Sequence, residues 1–261
     1  MIYKTDYHIH TTFSDGRSVP EDYVPAALEA GIQEIGFSEH LSLFKETQDW
    51  CMNPANVNVY LDYLENLKKN SRNIIVRKGL EVDYIPGREK ETGEFLSRFS
   101  LDYCIGSVHY LGEKTVDLGP EFYEGKNIDR LYKSYFELVL GAVSSGLFDI
   151  IGHCDLIRIY GYKPTTNPEQ FYRKLAMTLS KYDVAFELNT NGRNRPLADF
   201  YPDRHFLNLF REANVPVCVN SDAHMPMRVG QYFDEAYDLL RYCGFSEMAV
   251  FEGRKRKMIP F

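Results

Sequence analysis

Short, mostly apolar stretches alternate along the chain with longer stretches in which apolar residues recur every three or four positions. The short stretches are typical of buried strands, and the longer ones have the spacing of amphipathic helices. The predicted strands are residues 3–10, 33–40, 73–82, 101–109, 148–155, 184–190 and 215–222. The predicted helices are residues 20–31, 57–70, 89–99, 128–146, 168–182, 204–214 and 233–244, and a short strand at 247–253 follows them.

Seven strand–helix units in succession predict a parallel sheet with helices packed outside it. In a chain of 261 residues we expect this sheet to close into a TIM-like α/β barrel, and we expect residues 1–261 to form a single domain. The predicted connections at 41–56 and 110–127 are longer than usual, and such loops often serve as lids over active sites. The first of them contains Trp50, the only tryptophan.

Polar side chains follow the predicted strands at the points where these strands end. Six of the seven histidines and three carboxylates occupy such positions: His8, His10, Asp15, His40, Glu81, His109, His153, Asp222 and His224. Because the carboxyl ends of parallel strands lie on one face of a barrel, we expect these side chains to converge there. His205 opens a helix instead, and we interpret it as a structural or surface residue.

The composition narrows the classes of protein to which the chain can belong. A net charge of -7, from 30 basic and 37 acidic residues, argues against nucleic acid as a partner, and the basic run in FEGRKRK is interpreted as a solvated edge. No apolar run has the length of a membrane span, and the first residues do not have the pattern of a signal peptide, so we expect a cytoplasmic protein. Five scattered cysteines without a CxxC pair argue against a disulfide framework or a thiolate zinc site.

Imidazoles and carboxylates without thiolates favour Zn, Mn or Fe as bound metals. Nine candidate ligands exceed the needs of one ion and suffice for two or three divalent ions. Glu81 lies inside an apolar strand, and its two carboxylate oxygens suit it to bridge two of these ions. Such a centre predicts hydrolysis of a phosphate ester by a metal-bound hydroxide, with a small phosphomonoester as the partner molecule.

The segments HIHTTFSDG, SEH, GLEVD, GSVH, GHCD and NSDAH, in this order, resemble the motifs of the polymerase-and-histidinol-phosphatase (PHP) superfamily. Within that superfamily, the forms GSVHYL and GHCDLIR are similar to those of monofunctional histidinol-phosphatases. The resemblance implies an irregular seven-stranded (β/α) barrel with three metal ions. It implies a first ion bound by His8, His10, Glu81 and Asp222, a second by Glu81, His109 and His153, and a third by Asp15, His40 and His224.

From this resemblance we expect a phosphatase of histidine biosynthesis that hydrolyses L-histidinol phosphate. Two alternatives stay open: a phosphatase of a sugar phosphate, nucleotide or phosphotyrosine, and a non-catalytic PHP module. For phosphate binding the candidates are Arg158, which would also act in catalysis with Glu81, and Arg193 or Arg195, of which we favour Arg195. Because histidinol is cationic, we expect acidic residues of the two long loops to receive it; these are Glu46, Asp49, Glu113, Asp117 and Glu121. We expect Glu39 to point away from its neighbour His40 on the strand and interpret it as a residue that orients metal ligands without binding a metal itself.

Overall fold

The computed structural model describes residues 2–43 and 49–261 of the chain. Its strands are β1 (Thr5–Asp6), β2 (Glu34–Leu41), β3 (Ile75–Asp83), β4 (Ile105–Ser107), β5 (Tyr110–Leu111), β6 (Lys114–Thr115), β7 (Ile150–Ile151), β8 (Ala185–Asn189), β9 (Val217–Asn220), β10 (Glu247–Glu252) and β11 (Lys255–Pro260). Its α-helices are α1 (Pro20–Glu29), α2 (Val57–Asn70), α3 (Glu89–Leu96), α4 (Ile128–Ser144), α5 (Glu169–Tyr182), α6 (Leu207–Glu212) and α7 (Phe233–Tyr242).

Seven strands form one parallel sheet in the order β1-β2-β3-β4-β7-β8-β9. The sheet closes just beyond β1 and β9, where Ile9 and Ala223 form an isolated parallel bridge. The Ala223 amide donates to the carbonyl of His8 at 3.1 Å, and the His10 amide donates to the carbonyl of Ala223 at 3.0 Å. The predicted α/β barrel of seven strands is therefore confirmed.

Several barrel strands are shorter than the apolar pattern predicts. The first strand was expected to extend from residue 3 to residue 10, but its paired ladder covers only Thr5–Asp6. Beyond it the Tyr7 amide donates to the side-chain Oδ1 of Asn220 at 2.8 Å, where a regular ladder would use a backbone carbonyl. The irregular segment is the one that carries His8 and His10, so the backbone departs from strand geometry where it enters the polar centre.

The helices pack against the outside of the sheet through the apolar positions that the sequence indicates. In α2 the buried residues are Val57, Tyr60, Leu61, Leu64 and Leu67, which is the spacing of one helical face. Helix α4 begins after Asn127, whose side chain accepts a hydrogen bond from the Arg130 amide at 2.9 Å. No helix in the described ranges is both long and apolar enough to cross a bilayer.

The barrel interior is filled near the amino ends of its strands by the ring of Tyr103. Gly36 and Gly79 leave room for this ring, since a Cβ atom at either position would overlap with it. The Tyr103 hydroxyl donates to the carbonyls of Tyr7 at 2.5 Å and Phe37 at 3.0 Å. This apolar floor leaves the opposite end of the barrel for polar side chains.

The C-terminal segment forms an antiparallel hairpin, where the sequence pattern predicted only one short strand. Strands β10 and β11 pair along their whole length, and Gly253 and Arg254 form the turn with φ angles of 55° and 60°. Positive φ at both central residues is the geometry of a type I′ turn. Ala249 and Phe251 pack against Tyr7 and close the amino end of the barrel. The basic run FEGRKRK belongs to this hairpin, far from the carboxyl ends of the strands.

The second of the two long predicted connections contains structure of its own. Hairpin β5–β6 and a 3₁₀ turn at Pro120–Phe122 lie between β4 and α4. The first connection includes residues 44–48, among them Glu46, which lie outside the described residues. The role of both connections as lids stays a prediction.

Candidate metal centre

All nine predicted ligands lie at the carboxyl ends of the barrel strands, and their ligand atoms form four overlapping groups. Within each group the candidate atoms lie within 4.8 Å of one another. The groups are His8, Glu81 and His153; His8, His10 and Asp222; His40, Glu81 and His109; and His10, Asp15, His40 and His224. The convergence predicted from the sequence is therefore present in the structure.

Glu81 occupies the middle of this arrangement and is 1% exposed. The parallel register of β2 and β3 pairs it with His40 and so places the two side chains side by side. Its Oε1 lies 2.9 Å from Nε2 of His153 and 3.7 Å from Nε2 of His109. Its Oε2 lies 2.5 Å from Nδ1 of His40, 3.3 Å from Nε2 of His8 and 3.6 Å from Nε2 of His10. One carboxylate thus faces five imidazoles, which is the position required of a bridging ligand.

A second part of the centre lies towards the rim. The Nε2 atoms of His40 and His224 lie 3.6 and 3.4 Å from the carboxylate of Asp15. The rings of His10 and His40 stack with centroids 3.9 Å apart and so connect the rim to the interior. Asp222 lies between the two parts, with Oδ1 3.5 Å from Nε2 of His10 and 3.6 Å from Nδ1 of His224.

The hydrogen-bonding state of the buried imidazoles fits the binding of metal ions. Nε2 of His8 and both ring nitrogens of His10 are buried and make no hydrogen bond within the described part of the chain. Buried polar atoms nearly always have partners, so such atoms require a ligand. The donor set consists of nitrogen and oxygen atoms that a borderline divalent cation such as zinc accepts.

The charge states of His10 and Glu81 point the same way. Burial, together with the nearby imidazoles of His40 and His224, lowers the pKa of His10 to about 3, so its ring is neutral and has a free lone pair. Burial alone would raise the pKa of Glu81, but the imidazoles around it, including those of His8 and His40, hold that pKa well below its usual range. A neutral imidazole beside an ionised carboxylate is the combination that divalent ions bind.

Two of the ligands have a strained backbone. The φ angles of His153 and Asp222 are 21° and 50°, values that residues other than glycine seldom adopt. Each such conformation costs about 1–3 kcal/mol and persists where the surrounding structure imposes it. In both residues the conformation places a ligand atom in the centre.

Glu187, which the sequence analysis did not select, holds the inner ligands in place. This buried carboxylate of β8 accepts hydrogen bonds from Nδ1 of His8 at 2.7 Å and from the His153 amide at 3.1 Å. It also accepts from the side-chain amides of Asn189 at 2.6 Å and Asn220 at 2.8 Å. A carboxylate on one ring nitrogen directs the other nitrogen towards a metal. The signal was present in VAFELNT, where a single acidic residue interrupts an apolar strand, as Glu81 does in β3.

Two more positioning contacts were not predicted. Oδ1 of Asp83 lies 2.8 Å from Nδ1 of His109 and directs Nε2 of that ring towards Glu81. The Ser107 hydroxyl donates to Oε1 of Glu81 at 2.6 Å. The ligands are therefore oriented before a metal binds, which lowers the cost of binding it.

Glu39 points away from His40, as expected for its neighbour on a strand, and it contacts the loop that follows His10. Its carboxylate accepts hydrogen bonds from the Thr11 amide at 3.0 and 3.1 Å, from the Thr11 hydroxyl at 2.6 Å and from the Ser14 hydroxyl. These contacts anchor the loop that carries Asp15. The side chain alternates away from His40 along β2, and this explains why it holds the neighbouring loop instead.

A cavity of about 240 Å³ opens onto the centre. Six of the predicted ligands line it, together with an apolar wall and a few polar groups. The other lining residues are Trp50, Thr115, Asp117, Leu118, Leu156, Ile159, Asn191, Arg195 and Tyr201. Trp50 packs edge-on against His40 and His109, with ring centroids 4.9 and 5.4 Å apart, and so covers one side of the ligands.

The predicted phosphate-binding arginines lie in different places. Arg195 is exposed, lines the cavity and makes no ion pair within the described ranges. Arg193 instead contacts the carboxylate of Glu235 at 3.2 Å and the carbonyl of Ala198 at 3.0 Å, outside the cavity. The preference for Arg195 over Arg193 therefore agrees with their placement.

The placement of Arg158 does not support its predicted role in phosphate binding and catalysis. It is 8% exposed and is not among the residues that line the cavity. Its guanidinium contacts Asp155 at 2.8 Å, Asp203 at 3.2 Å and Asp199 at 3.3 Å. The 3₁₀ turn Leu156–Arg158 directs this side chain towards the 199–203 segment, and its charge is neutralised there. His205, which was excluded from the site, is exposed and contacts Asp203 at 2.7 Å.

Comparison with known proteins agrees with this geometry. The family model described as "PHP domain" matches residues 6–191. A protein named probable histidinol-phosphatase from Deinococcus radiodurans is 35% identical, with 98% of each chain covered. The histidinol-phosphatase of Lactococcus lactis is 28% identical over 97% of this chain and 96% of that protein.

Among solved structures, one similar protein is histidinol phosphate phosphatase from Lactococcus lactis, crystallised with zinc, L-histidinol and phosphate. It superposes with a TM-score of 0.84 at 26% identity and covers 98% of this chain and 100% of its own. The likeness therefore includes the whole barrel.

Proposed function

The chain belongs to the PHP domain family, and on that premise we propose that it is a metal-dependent phosphatase that hydrolyses L-histidinol phosphate to L-histidinol and phosphate. The observation that carries this proposal is the convergence of six imidazoles and three carboxylates around the central Glu81, with six of these nine side chains lining one cavity. Two features support the substrate: the relatives are named histidinol-phosphatases, and the similar Lactococcus structure contains both products of this reaction.

We assign three divalent ions to the centre. The first would be held by His8, His10, Glu81 and Asp222, the second by Glu81, His109 and His153, and the third by Asp15, His40 and His224. The groups at His8, His10 and Asp222 and at Asp15, His40 and His224 support the first and third ions. Zinc is present in the Lactococcus relative, and the same donor set suits manganese or iron.

When bound, the metal ions supply positive charge for the phosphoryl oxygens and lower the pKa of a coordinated water. The chain itself contributes Arg195, which lines the cavity and whose planar guanidinium matches two phosphoryl oxygens. The apolar residues Trp50, Leu118 and Ile159 exclude water and so strengthen the electrostatic contacts of the bound phosphate. Glu187 and Asp83 keep the imidazoles in position while charge shifts during the reaction.

The same proposal includes the setting in which the enzyme works. We infer one domain for residues 1–261, action in histidine biosynthesis in the cytoplasm, and neither nucleic acid nor a membrane as partner. The Deinococcus relative matches over 98% of each chain, which supports the inference of one domain. The relatives are named histidinol-phosphatases, which supports action in histidine biosynthesis.

The test of the function is a comparison of substrates. The purified protein is stripped of metal, loaded separately with Mn, Zn or Fe, and assayed for phosphate release from histidinol phosphate, a sugar phosphate, a nucleotide and phosphotyrosine. We expect kcat/KM for histidinol phosphate to exceed that for the other esters by on the order of 100-fold. A higher kcat/KM for any of the other esters would contradict the assigned substrate.

Arg195→Met is expected to lower kcat/KM for histidinol phosphate about 100-fold, because it removes the guanidinium that faces the phosphoryl group. Steady-state phosphate release measures this effect. Arg193→Met is the matched control, since Arg193 comes from the same turn but contacts Glu235 outside the cavity. Equal losses in the two variants would show that Arg195 acts through the fold of the turn and not through phosphate.

A further inference from the structure

The cavity is lined by groups of both charge signs. Arg195 and six of the predicted metal ligands line it and together form the place for an anion. Of the described carboxylates that line the cavity, Asp15 and Asp222 belong to the metal-ligand set, and Asp117 is the one that does not. A carboxylate that is not needed for metal binding is thus present in a cavity that must also accept a phosphate.

The backbone that carries Asp117 is fixed relative to the metal centre. Val116, which is 0% exposed, donates its amide to the carbonyl of His109 at 2.8 Å. Its own carbonyl accepts the hydroxyl of Tyr123 at 2.9 Å, and the carbonyl of Asp117 accepts the hydroxyl of Tyr160 at 2.6 Å. Because His109 is a predicted ligand, these bonds hold Asp117 at a constant distance from the metals.

The side chain of Asp117 is available to a ligand. It is exposed, and within the described part of the chain its carboxylate makes no ion pair or hydrogen bond. Of the other acidic residues expected to receive a cationic substrate, Asp49, Glu113 and Glu121 do not line the cavity. Of the five candidates that the sequence offered for this role, Glu46 lies outside the described residues, and Asp117 is the one of the other four that lines the cavity.

The chemistry of the substrate matches this lining. L-Histidinol phosphate carries a dianionic phosphate at one end, an ammonium group on the adjacent carbon and an imidazole at the other end. With the phosphoryl group between the metal ligands and Arg195, Asp117 is the acidic group in the remaining described lining, which also contains Trp50, Thr115, Leu118, Leu156, Ile159, Asn191 and Tyr201. We propose that Asp117 binds the ammonium group of the substrate and selects phosphomonoesters that carry an ammonium group; this inference rests on the proposed function and extends it to substrate recognition.

The test is Asp117→Asn, assayed with three esters: histidinol phosphate, O-phosphoethanolamine and glycerol phosphate. The first two carry an ammonium group, and glycerol phosphate has none. A hydrogen bond between charged groups contributes to the binding of the substrate, and Asp117→Asn removes the charge of one partner. We therefore expect kcat/KM for the two ammonium esters to fall about 10- to 100-fold, mainly through a rise in KM. We expect kcat/KM for glycerol phosphate to stay within about twofold of the wild-type value. Asp117→Glu, which keeps the charge, should restore a large part of the loss.

Two further results would overturn the inference. One is an equal change for all three esters, which would assign Asp117 a role in the metal site through its neighbour His109. The matched control is Glu121→Gln, which removes the charge of an exposed acidic residue in the same loop but outside the cavity. The other contradicting result is the same selective loss of activity in this control. If the wild-type protein does not prefer histidinol phosphate, the proposed function fails. The ratio of O-phosphoethanolamine to glycerol phosphate hydrolysis in the two variants still tests Asp117 in that case.

Discussion

Glu81→Gln is expected to lower kcat for phosphate release by on the order of 10³-fold or more, equivalent to about 4 kcal/mol of transition-state stabilisation. The substitution keeps the volume of the side chain but removes the one negative charge that faces five imidazoles. Because Glu81 would be a ligand to two ions, its loss would weaken the binding of both. Steady-state phosphate release, with metal content by plasma mass spectrometry on the same sample, measures both consequences.

The control for this variant is Glu94→Gln, which changes an exposed carboxylate of α3 that contacts Lys90 at 3.8 Å. An exposed ion pair of this kind contributes little, so activity and metal content should match the wild type. Circular dichroism should show both variants folded, because glutamine has nearly the same volume and shape as glutamate. An E81Q protein with normal metal content and normal turnover would refute the bridging role.

The parts of this molecule that were predictable follow from periodic patterns. Helix α2 has the predicted bounds, and β2 differs from its predicted range by one residue at each end, because both are long segments with a clear period. The ligands were predictable for a different reason. A parallel barrel brings the carboxyl ends of its strands to one face, so the order of histidines and carboxylates along the chain suffices to place them together.

The sequence is less informative where the direction of a side chain depends on local geometry. Arg158 follows β7 closely in sequence, as a phosphate ligand would, and in the structure its guanidinium contacts Asp155 beside a 3₁₀ turn, so its predicted role stays a prediction. The second strand of the C-terminal hairpin was missed because Lys255, Arg256 and Lys257 have no alternating apolar pattern. Its pairing depends on the turn at Gly253, whose φ angle is not visible in a periodic pattern.

The positioning residues are an intermediate case. Glu187 has a visible signal, a charge within an apolar strand, and a rule that recognised Glu81 could also have selected it. The partners of Glu187, Asn189 and Asn220, were harder to predict from the sequence. The register of β8 and β9 sets these two residues opposite each other, and this pairing brings both side-chain amides to the Glu187 carboxylate. A one-residue shift of that register would turn the side chains to the other face.

Removal of the metals is expected to abolish phosphate release and to lower Tm by about 5–10 °C, the shift that corresponds to a ligand present at roughly 100 times its Kd. Activity should return when the ion is added back, because Glu187 and Asp83 hold the ligands in position in the metal-free protein. Dialysis against a chelator, followed by thermal unfolding with and without added zinc, measures the change. Unaltered turnover in fully stripped protein would refute the metal-dependent mechanism.

The difference in Tm between the metal-bound and metal-free protein should also widen as the pH rises. In the metal-free protein burial opposes protonation, but Asp83 and Glu81 raise the pKa of His109 to about 10, and Asp15 and Asp222 raise that of His224 to about 8. A raised imidazole pKa stabilises the folded state fully below the ordinary value of 6.5, and this contribution is lost as the pH rises through the folded values. Metal binding instead becomes stronger as the pH rises, because it requires neutral imidazoles.

Unfolding curves at intervals between about pH 6.5 and 9 test this behaviour. His205→Gln is the control, since that exposed histidine lies outside the centre. A difference in Tm that stays constant or narrows over this range would show that the imidazoles of the centre are not proton-linked to metal binding.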